Sequence, residues 1–266
     1  TWDSLTYHLA RAAWWGQHGG VEWIPNVLDE RQNAFPVNAE VAVLYTLVGA
    51  GSERLAALPQ LVSQVAMLAA VYGSSRRLDF GRGPSLYAAL VLATLPMVAL
   101  QSTTTQTDLV VTALAVTAVF FLLGGDRNEA ALAGVAVGLA LGTKLTVVLV
   151  LPVLVVLAIV RLPPRRVALA AGAALISFAA WSSWAYVRNV RETGSLLGEG
   201  VGRVEHQADP SALGSLSTPV RVLYRFLDLS GTDGLSWVTA IMASLRVTIA
   251  AGATTYVLLR RGGGPR

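Results

Sequence analysis

The sequence predicts an all-α polytopic membrane protein with about seven transmembrane helices. Of its 266 residues, 54% are hydrophobic and only 14% are charged, which is too apolar for an ordinary soluble domain. The apolar residues form several separate runs, most of them approaching the length that crosses a bilayer. The loops between these runs alternate between arginine-rich and arginine-poor, which is typical of a chain that crosses the membrane repeatedly.

Residues 1–54 are predicted to be an extracytoplasmic loop with juxtamembrane helices. The first stretch, TWDSLTYHLARAAWW, has the pattern of an amphipathic helix lying along the membrane surface. One face of this helix carries an acid, a phenol and a guanidinium at i, i+4 steps, namely Asp3, Tyr7 and Arg11. Nearby aromatic rings are of the kind found at headgroup level: Trp14, Trp15 and Trp23. Val37–Gly49 is apolar but too short to span, and we expect a re-entrant or interfacial helix there.

Seven later apolar stretches are the predicted spans. In chain order they are Leu55–Tyr72, Pro84–Leu100, Leu109–Leu123, Glu129–Leu141, Thr146–Val160, Val167–Tyr186 and Trp237–Leu259. Transmembrane helices thus occupy 55–186 and 237–259, separated by an extracytoplasmic loop over 187–236. We expect 1–266 to be a single transmembrane domain. Because the sequence begins at Thr1 with neither an initiator Met nor a signal-peptide pattern, we also expect either a fragment or a chain from which a preceding segment has been removed.

The arginines predict the orientation of the chain. The positive-inside rule puts four loops on the cytoplasmic side, which carry Arg76, Arg77 and Arg82, then Arg127, then Arg161, Arg165 and Arg166, then Arg260, Arg261 and Arg266. The intervening segments then face outward, and with them Asp3, Asp108, Lys144 and Arg188. We therefore expect these side chains to meet in one hollow that opens on the extracytoplasmic side.

Composition excludes some kinds of site. The chain has no Cys, so it has neither a disulfide framework nor a thiolate metal site. Its histidines, His8, His18 and His206, match no zinc spacing. We assign no metal ligands and no certain cofactor, and leave a divalent metal open. The net charge of +4 comes from basic loops of a membrane protein, so we expect membrane lipids and no nucleic acid as partners.

Two acids are candidate catalytic groups. Asp108 closes the run QSTTTQTD at the outer start of a span, where it either caps the helix or faces Asp3 as a second carboxylate. Asp3 is either a helix-start residue that neutralises backbone N–H groups or a functional acid. Ionisable groups at membrane depth are unfavourable and usually functional, which favours the second interpretation of each.

Three further residues are candidate substrate contacts. Lys144 is the only lysine, and its compact ammonium suits a phosphate oxygen, unless it merely snorkels to the interface. Arg188 follows a span, where it either anchors the helix or binds a lipid phosphate. Glu40 either contacts substrate or is a solvated acid at a helix start.

Carboxylates and cations on one side of the membrane fit a lipid-phosphate substrate. The cations would hold a phosphate leaving group, and a carboxylate would take the proton of an attacking hydroxyl. Two alternatives stay open. A lipid-linked sugar flippase or solute transporter also uses intramembrane charges, although no paired repeat is evident. A non-catalytic assembly subunit is the third hypothesis.

Five stretches together carry a family resemblance. They are WDSLTYHLARAAWWGQHGGVE, RQNAFPVNAE, LPMVALQSTTTQTDLVV, GLALGTK and YVRNVRETGSLLG. From about Thr1 to Asp228 the chain resembles bacterial glycosyltransferase family 39-like proteins of the GT-C superfamily, which are relatives of protein O-mannosyltransferases and the lipid A aminoarabinose transferase. The resemblance implies a multi-pass enzyme of the bacterial plasma membrane with an extracytoplasmic active site. It also implies a polyprenyl-phosphate sugar donor, inversion at the anomeric carbon, and a lipid, glycan or protein acceptor.

The resemblance also implies roles for particular residues. Asp3 matches the catalytic base, and Asp108 matches a second acid that orients the acceptor or a metal. The implied substrate-binding residues are Tyr7, Lys144, Arg188 and Asn189. To these we add residues from the same stretches, namely His8, Arg31 and Glu40. The chain departs from its relatives at Thr6, where the aminoarabinose transferase has arginine, and at Ser195-Leu196, where Asn-Pro or Ser-Pro is common.

Overall fold

The computed structural model describes residues 2–198, which form helices and connecting turns without a strand. The chain divides into two compact units, Thr1–Ala89 with Leu100–Gln207, and Leu90–Ala99 with Ala208–Arg266. Residues 90–99 are the described part of the second unit, and they contain the end of one helix and the start of the next. The loop 187–236 beyond residue 198 and the span Trp237–Leu259 lie outside the described residues. That 1–266 form a single domain stays a prediction.

The segment before the first predicted span folds into short helices. A π-helical turn, Ser4–His8, continues directly into α1 (Leu9–His18). A loop then leads to the single turn of α2 (Arg31–Ala34) and to α3 (Asn38–Ala50). The position of α3 agrees with the short apolar helix expected at Val37–Gly49.

The π-helical turn changes which side chains share a face of the first helix. Its hydrogen bonds join residues five apart instead of four, so the stripe predicted for Asp3, Tyr7 and Arg11 does not continue. Arg11 is fully buried, whereas the Asp3 side chain is 42% exposed. Trp15 is also buried, and its Nε1 donates a hydrogen bond to the Glu22 carbonyl. Trp15 is thus covered by protein on this face of α1, and its depth in the membrane stays a prediction.

The predicted spans within the described residues correspond to helices. They are α4 (Leu58–Arg77), α5 (Arg82–Ala93), α6 (Pro96–Gln101), α7 (Asp108–Gly124), α8 (Arg127–Leu141), α9 (Leu151–Arg161), α10 (Pro164–Ser177) and α11 (Ser183–Thr193). Short 3-10 turns at Glu53–Leu55 and Leu145–Leu149 precede α4 and α9, and a π-helical turn at Phe178–Ser182 joins α10 to α11. The span expected at Pro84–Leu100 is broken before Pro96, because proline lacks an N–H group and disfavours a helical residue ahead of it.

Two helical segments among residues 2–198 are long and apolar enough to cross a membrane, Glu53–Arg77 and Pro164–Thr193. The helices α3, α7 and α9 are apolar but shorter. The all-helical architecture that the sequence predicts is therefore confirmed for the described residues. The number of crossings, about seven, stays a prediction.

Helices α7 and α8 form an antiparallel pair on which the neighbouring helices pack. Gly125 connects them with φ of 77°, a conformation that glycine adopts without strain. Asp126 then begins α8 with a capping box: its Oδ1 accepts from Glu129 N at 2.8 Å, and Glu129 Oε2 accepts from Asp126 N at 3.3 Å. On this pair, α10 packs against α8 and α4 packs against α7.

A row of glycines lets α8 approach the α10–α11 segment closely. Gly134, Gly138 and Gly142 are spaced four apart and therefore lie on one face of α8. A methyl group on Gly134 would overlap the Ala170 carbonyl oxygen, and one on Gly142 would overlap the Ser182 side chain. Only glycine fits these positions without a shift of the helices, so this contact sets the position of α8 along its neighbour.

Arginines from two of the arginine-rich loops meet at the end of α7 opposite to Asp108. Arg77 donates to the Phe120 carbonyl and pairs with Glu129. Arg161 and Arg166 donate to the carbonyls of Leu123, at 3.3 Å, and Gly125, at 2.6 Å. Cations at the C-terminal end of a helix bind carbonyl oxygens that have no partner within the helix. The arginine-rich loops therefore share one end of the helix bundle.

Candidate active site

Asp108 and Lys144 form an ion pair at the end of the bundle away from these arginines. Asp108 is the first residue of α7, and Lys144 lies in the turn after α8. Lys144 Nζ lies 2.7 Å from Asp108 Oδ1. The Lys144 side chain is 27% exposed and the Asp108 side chain is 39% exposed, so a bound molecule can reach them. Lys144 is therefore paired with an acid and does not simply extend to the interface.

Gln60 of α4 supplies the cap of α7. Its Oε1 accepts from the backbone N–H groups of Leu109, at 3.0 Å, and Val110, at 3.2 Å. Thr107, the residue before the helix, makes no capping bond through its side chain. Because Gln60 binds these N–H groups, Asp108 does not cap its helix, although it is the acid in the first turn that the simpler interpretation also expected. The carboxylate of Asp108 binds Lys144 instead.

Asp3 is held by a cation at the start of α2. Arg31 Nη1 lies 3.3 Å from Asp3 Oδ1. The other edge of the same guanidinium binds Asp29, with Nε 2.9 Å from Oδ1 and Nη2 2.7 Å from Oδ2. Burial raises the pKa of the Asp29 carboxyl, but the hydrogen bonds and charge of Arg31 outweigh burial and hold this pKa below its ordinary value. Asp29 thus fixes the direction in which Arg31 faces Asp3.

The charges of Asp3 and Asp108 both act on the phenol of Tyr7. The Arg31 guanidinium is 4.6 Å from its ring centroid. Burial raises the pKa of Tyr7, the charges of Asp3, Glu40 and Asp108 raise it further, and Arg31 opposes them. These acids must therefore lie within electrostatic reach of one phenol. The structure thus places Asp3 and Asp108, which are far apart in sequence, around the same side chain.

Glu40 forms a buried cluster with two residues of the first helix. Its Oε1 lies 2.7 Å from His8 Nδ1 and 2.5 Å from Arg11 Nη2. The side chains are 1%, 3% and 0% exposed respectively, so the interpretation of Glu40 as a solvated acid is wrong. Burial raises the pKa of the Glu40 carboxyl, but Arg11 and His8 lower it more, and the net shift is downward. Glu40 is therefore an ionised acid in the protein interior.

Arg11 is a residue of this site that the sequence analysis did not assign. Besides Glu40, it binds backbone carbonyls of the loop before α3: Gln32 at 3.1 Å, Phe35 at 2.9 Å and Pro36 at 3.0 Å. A signal for this contact was present in the sequence, because an acid near the start of the apolar helix α3 needs a buried cation if that helix packs against α1. Nothing in the spacing identified Arg11 as that cation.

Arg188 and Asn189 of α11 are buried and bind the end of α2. Arg188 Nη2 donates to the Asn33 carbonyl at 2.8 Å, and Asn189 Nδ2 donates to the Ala34 carbonyl at 2.8 Å. The Arg188 guanidinium also lies 4.5 Å from the ring of Trp184. These contacts bind protein atoms. A substrate contact by Arg188 or Asn189 stays a prediction.

A cavity of about 630 Å³ lies beside these residues. Of the predicted site residues, its wall contains Tyr7, His8, Glu40 and Lys144, whereas Asp3, Asp108, Arg31, Arg188 and Asn189 do not line it. The rest of the wall is mainly apolar, with a few hydroxyl groups: Ala34, Phe35, Pro36, Thr107, Thr143, Leu145, Thr146, Val148, Leu149, Tyr186, Ser195, Leu197 and Gly198. The two acids are thus next to the cavity wall and not part of it. The cavity can hold a molecule with one charged end and an apolar remainder.

The acids of this site do not fit a metal ion well. Within residues 2–198, no three side chains from His, Cys, Asp and Glu are grouped in a way that could hold one. Asp3 and Asp108 each pair with a cation, Arg31 and Lys144. We therefore derive no step of the reaction from a metal.

Comparison with known proteins identifies one family. Residues 36–184 match the model of a family described as dolichyl-phosphate-mannose-protein mannosyltransferase. This stretch is more than half of the 266 residues. It includes Glu40, Asp108 and Lys144, whereas Asp3 lies before it and Arg188 just after it. No curated protein and no solved structure gives a significant match.

Proposed function

Because the chain belongs to the dolichyl-phosphate-mannose-protein mannosyltransferase family, we propose that it transfers a sugar from a polyprenyl-phosphate carrier to a hydroxyl of an extracytoplasmic acceptor. The family consists of membrane-embedded GT-C glycosyltransferases that use lipid-linked sugar donors, so the resemblance inferred from the sequence is confirmed. Membership of an enzyme family favours transfer over a flippase, a solute transporter or a non-catalytic subunit.

The observation that carries this proposal is the pairing of Lys144 with Asp108 at an apolar cavity. Lys144 lines the cavity, and its ammonium group has three hydrogens, of which the Asp108 contact uses one. A phosphate oxygen of the donor is a suitable partner for the others. The apolar wall beside Lys144, which includes Leu145, Val148 and Leu149, then contacts the polyprenyl chain.

Asp3 is the proposed general base. The acceptor oxygen attacks the anomeric carbon from the side opposite to the phosphate. A bond forms between the acceptor oxygen and the anomeric carbon, while the bond between that carbon and the phosphate oxygen breaks, so the anomeric configuration is inverted. The electron pair leaves with the polyprenyl phosphate, which Lys144 stabilises, and the hydroxyl proton passes to Asp3. Arg31 holds the Asp3 carboxylate in position, and Asp108 orients Lys144 and the acceptor.

The test is the substitution Asp3→Asn in the membrane-inserted protein. We expect transfer from polyprenyl-phosphate sugar to fall by about 10²-fold or more, since general-base catalysis contributes roughly 10²–10⁴ in rate. Donor binding and membrane insertion remain unchanged, because the amide keeps the shape of the carboxyl group. The product is measured as radiolabelled sugar in covalent linkage to the acceptor.

Glu30→Gln is the matched control, since Glu30 is an exposed acid beside Arg31 and loses the same charge. It retains transfer close to that of the unmodified chain. Near-normal turnover of the Asp3→Asn protein would remove Asp3 from the mechanism. Labelled sugar that crosses the bilayer without forming a new covalent product would instead support the transporter hypothesis.

The remaining predictions concern placement in the membrane. We propose about seven crossings, with the site on the extracytoplasmic side of a bacterial plasma membrane. Asp108 begins α7 and Gly124 ends it, so the two ends are about 24 Å apart at the usual rise of an α-helix. This distance approaches the thickness of the hydrocarbon core, and the arginine-rich loops lie at the far end. This separation supports the proposed orientation through the positive-inside rule.

A further inference from the structure

The buried cluster of His8, Arg11 and Glu40 has no part in the transfer mechanism above. His8 and Glu40 belong to the cavity wall, on the same cavity as Lys144. A buried carboxylate and a buried guanidinium lose their hydration, and packing alone does not compensate for that loss. A role toward a bound molecule would explain why these groups are present at the cavity.

The carboxylate of Glu40 accepts hydrogen bonds unequally. His8 and Arg11 both approach Oε1, at 2.7 Å and 2.5 Å. The second oxygen, Oε2, is buried and has no hydrogen-bond partner among residues 2–198. Buried carboxylate oxygens are rarely left without a donor, because the lost hydration is not replaced. Glu40 thus presents an acceptor atom for which the described protein supplies no donor.

The same contacts define what His8 presents to the cavity. An ionised carboxylate only accepts, so the bond to Glu40 requires the hydrogen of the ring on Nδ1. A ring whose single hydrogen is on Nδ1 carries a lone pair on Nε2, and this atom can accept a hydrogen bond. His8 accordingly contributes a second acceptor atom.

Two acceptor atoms in one wall select for a ligand that donates hydrogen bonds. Phosphate oxygens and a polyprenyl chain cannot donate, whereas the hydroxyl groups of a sugar can. Lys144, in the same cavity, is the group suited to the phosphate that carries this sugar. Because the whole cavity measures about 630 Å³, a phosphate at Lys144 keeps its attached sugar close to His8 and Glu40.

We propose that His8 Nε2 and Glu40 Oε2 accept hydrogen bonds from hydroxyl groups of the donor sugar, and that Arg11 is a positioning residue that holds Glu40. This inference rests on the proposed function, and it assigns the two parts of the donor to two parts of the cavity. One part recognises the sugar, and the part at Lys144 recognises the phosphate. The arrangement resembles other carboxylate–histidine pairs in which a carboxylate fixes the tautomer of the ring.

The test compares the binding of two lipids, dolichyl-phosphate mannose and bare dolichyl phosphate, to the full chain in lipid nanodiscs. His8→Asn keeps an amide N–H in place of Nδ1 for Glu40 but has no counterpart of Nε2. We expect this variant to bind the mannosyl lipid about tenfold more weakly and the bare phosphate lipid as before. Lys144→Met weakens the binding of both lipids by the same factor, since it removes the phosphate contact.

His18→Asn is the matched control, because His18 is an exposed histidine at the end of the same helix. It binds both lipids as the unmodified chain does. Equal weakening of both lipids by His8→Asn, or no weakening, overturns this inference and leaves the proposed transfer reaction intact. If the unmodified chain binds neither lipid, the proposed function fails as well.

A second measurement uses the unmodified chain and therefore does not depend on folding of a variant. Monodeoxy analogues of the mannosyl lipid each lack one hydroxyl group. The inference requires at least one analogue that binds about tenfold more weakly than the parent lipid. Equal binding of all the analogues would show that no sugar hydroxyl is recognised, and would overturn the inference.

Discussion

Lys144 is the residue on which ligand binding at this end of the protein depends most. The other cations nearby are committed to the protein: Arg11 binds Glu40 and three carbonyls, and Arg188 binds carbonyls of the loop before α2 and the end of α2. Lys144 has one carboxylate partner and lines the cavity. Its position follows from the turn after Gly142, which directs the side chain toward the start of α7.

At the same scale, we predict that Lys144→Met lowers kcat/KM for transfer by about 10²-fold, because removal of one group that stabilises developing negative charge has an effect of this size. Lys144→Arg recovers little of the loss, since a planar guanidinium does not fit the position of a compact ammonium. Steady-state transfer in nanodiscs measures both. Arg54→Met, at an exposed cation before α4, serves as the control. Full activity of the Lys144→Met protein would contradict the role in phosphate binding.

Individual residues also show where inference from sequence ends. The proximity of Asp108 and Lys144 could be expected from the sequence, because both are ionisable groups at helix ends on the same predicted side of the membrane. The contact between Arg11 and Glu40 could not be expected, because the backbone between them is irregular and no spacing rule predicts its path. The location of Asp3 beside Arg31 depends on the same stretch of backbone.

At the level of elements, apolar length was a reliable guide to helices. Three of the six predicted spans within the described residues became one helix each, namely α4, α7 and α8, and the other three became two or more helical pieces. The spans are helical because a lipid-facing segment must satisfy its own backbone hydrogen bonds. Deviations arose where local chemistry intervened. Pro96 interrupts one span, and π-helical turns interrupt two other segments. The capping of α7 by Gln60, from a different helix, was also invisible to pattern analysis.

This cap gives a prediction for the stability of α7. Gln60→Leu leaves the N–H groups of Leu109 and Val110 buried without a partner, which destabilises the protein by about 1–3 kcal/mol. Because Asp108 precedes these residues, we also expect weaker donor binding. Gln64→Leu, one turn further along α4, is the control. Thermal unfolding in detergent compares the two variants, and equal midpoints would show that the cap contributes no stability.

At the scale of the whole molecule, charge separates the two ends of the helix bundle. The carboxylates and Lys144 gather at the start of α7, and the arginine-rich loops gather at its end. The arginine count of the loops predicted this separation, and the described contacts agree with it. Which end faces the cytoplasm is the remaining step, and it is open to a direct experiment.

Labelling of single introduced cysteines can determine this orientation without background, because the chain has no cysteine of its own. We predict that Glu30→Cys reacts with a membrane-impermeant maleimide in intact cells, whereas Arg127→Cys reacts only after permeabilisation. Both positions are exposed, so accessibility within the protein does not limit labelling. The reverse pattern of labelling would place the site in the cytoplasm and remove support for an extracytoplasmic acceptor.

The glycine row of α8 has a consequence for how the enzyme responds to its lipid surroundings. Because Gly134 and Gly142 contact the α10–α11 segment directly, we expect α8 and that segment to move together as one rigid rod. Lys144 follows Gly142 by two residues and travels with that rod. In a thinner or thicker bilayer we therefore expect this rod to change its tilt, while the ammonium group of Lys144 keeps its distance from the α10–α11 segment.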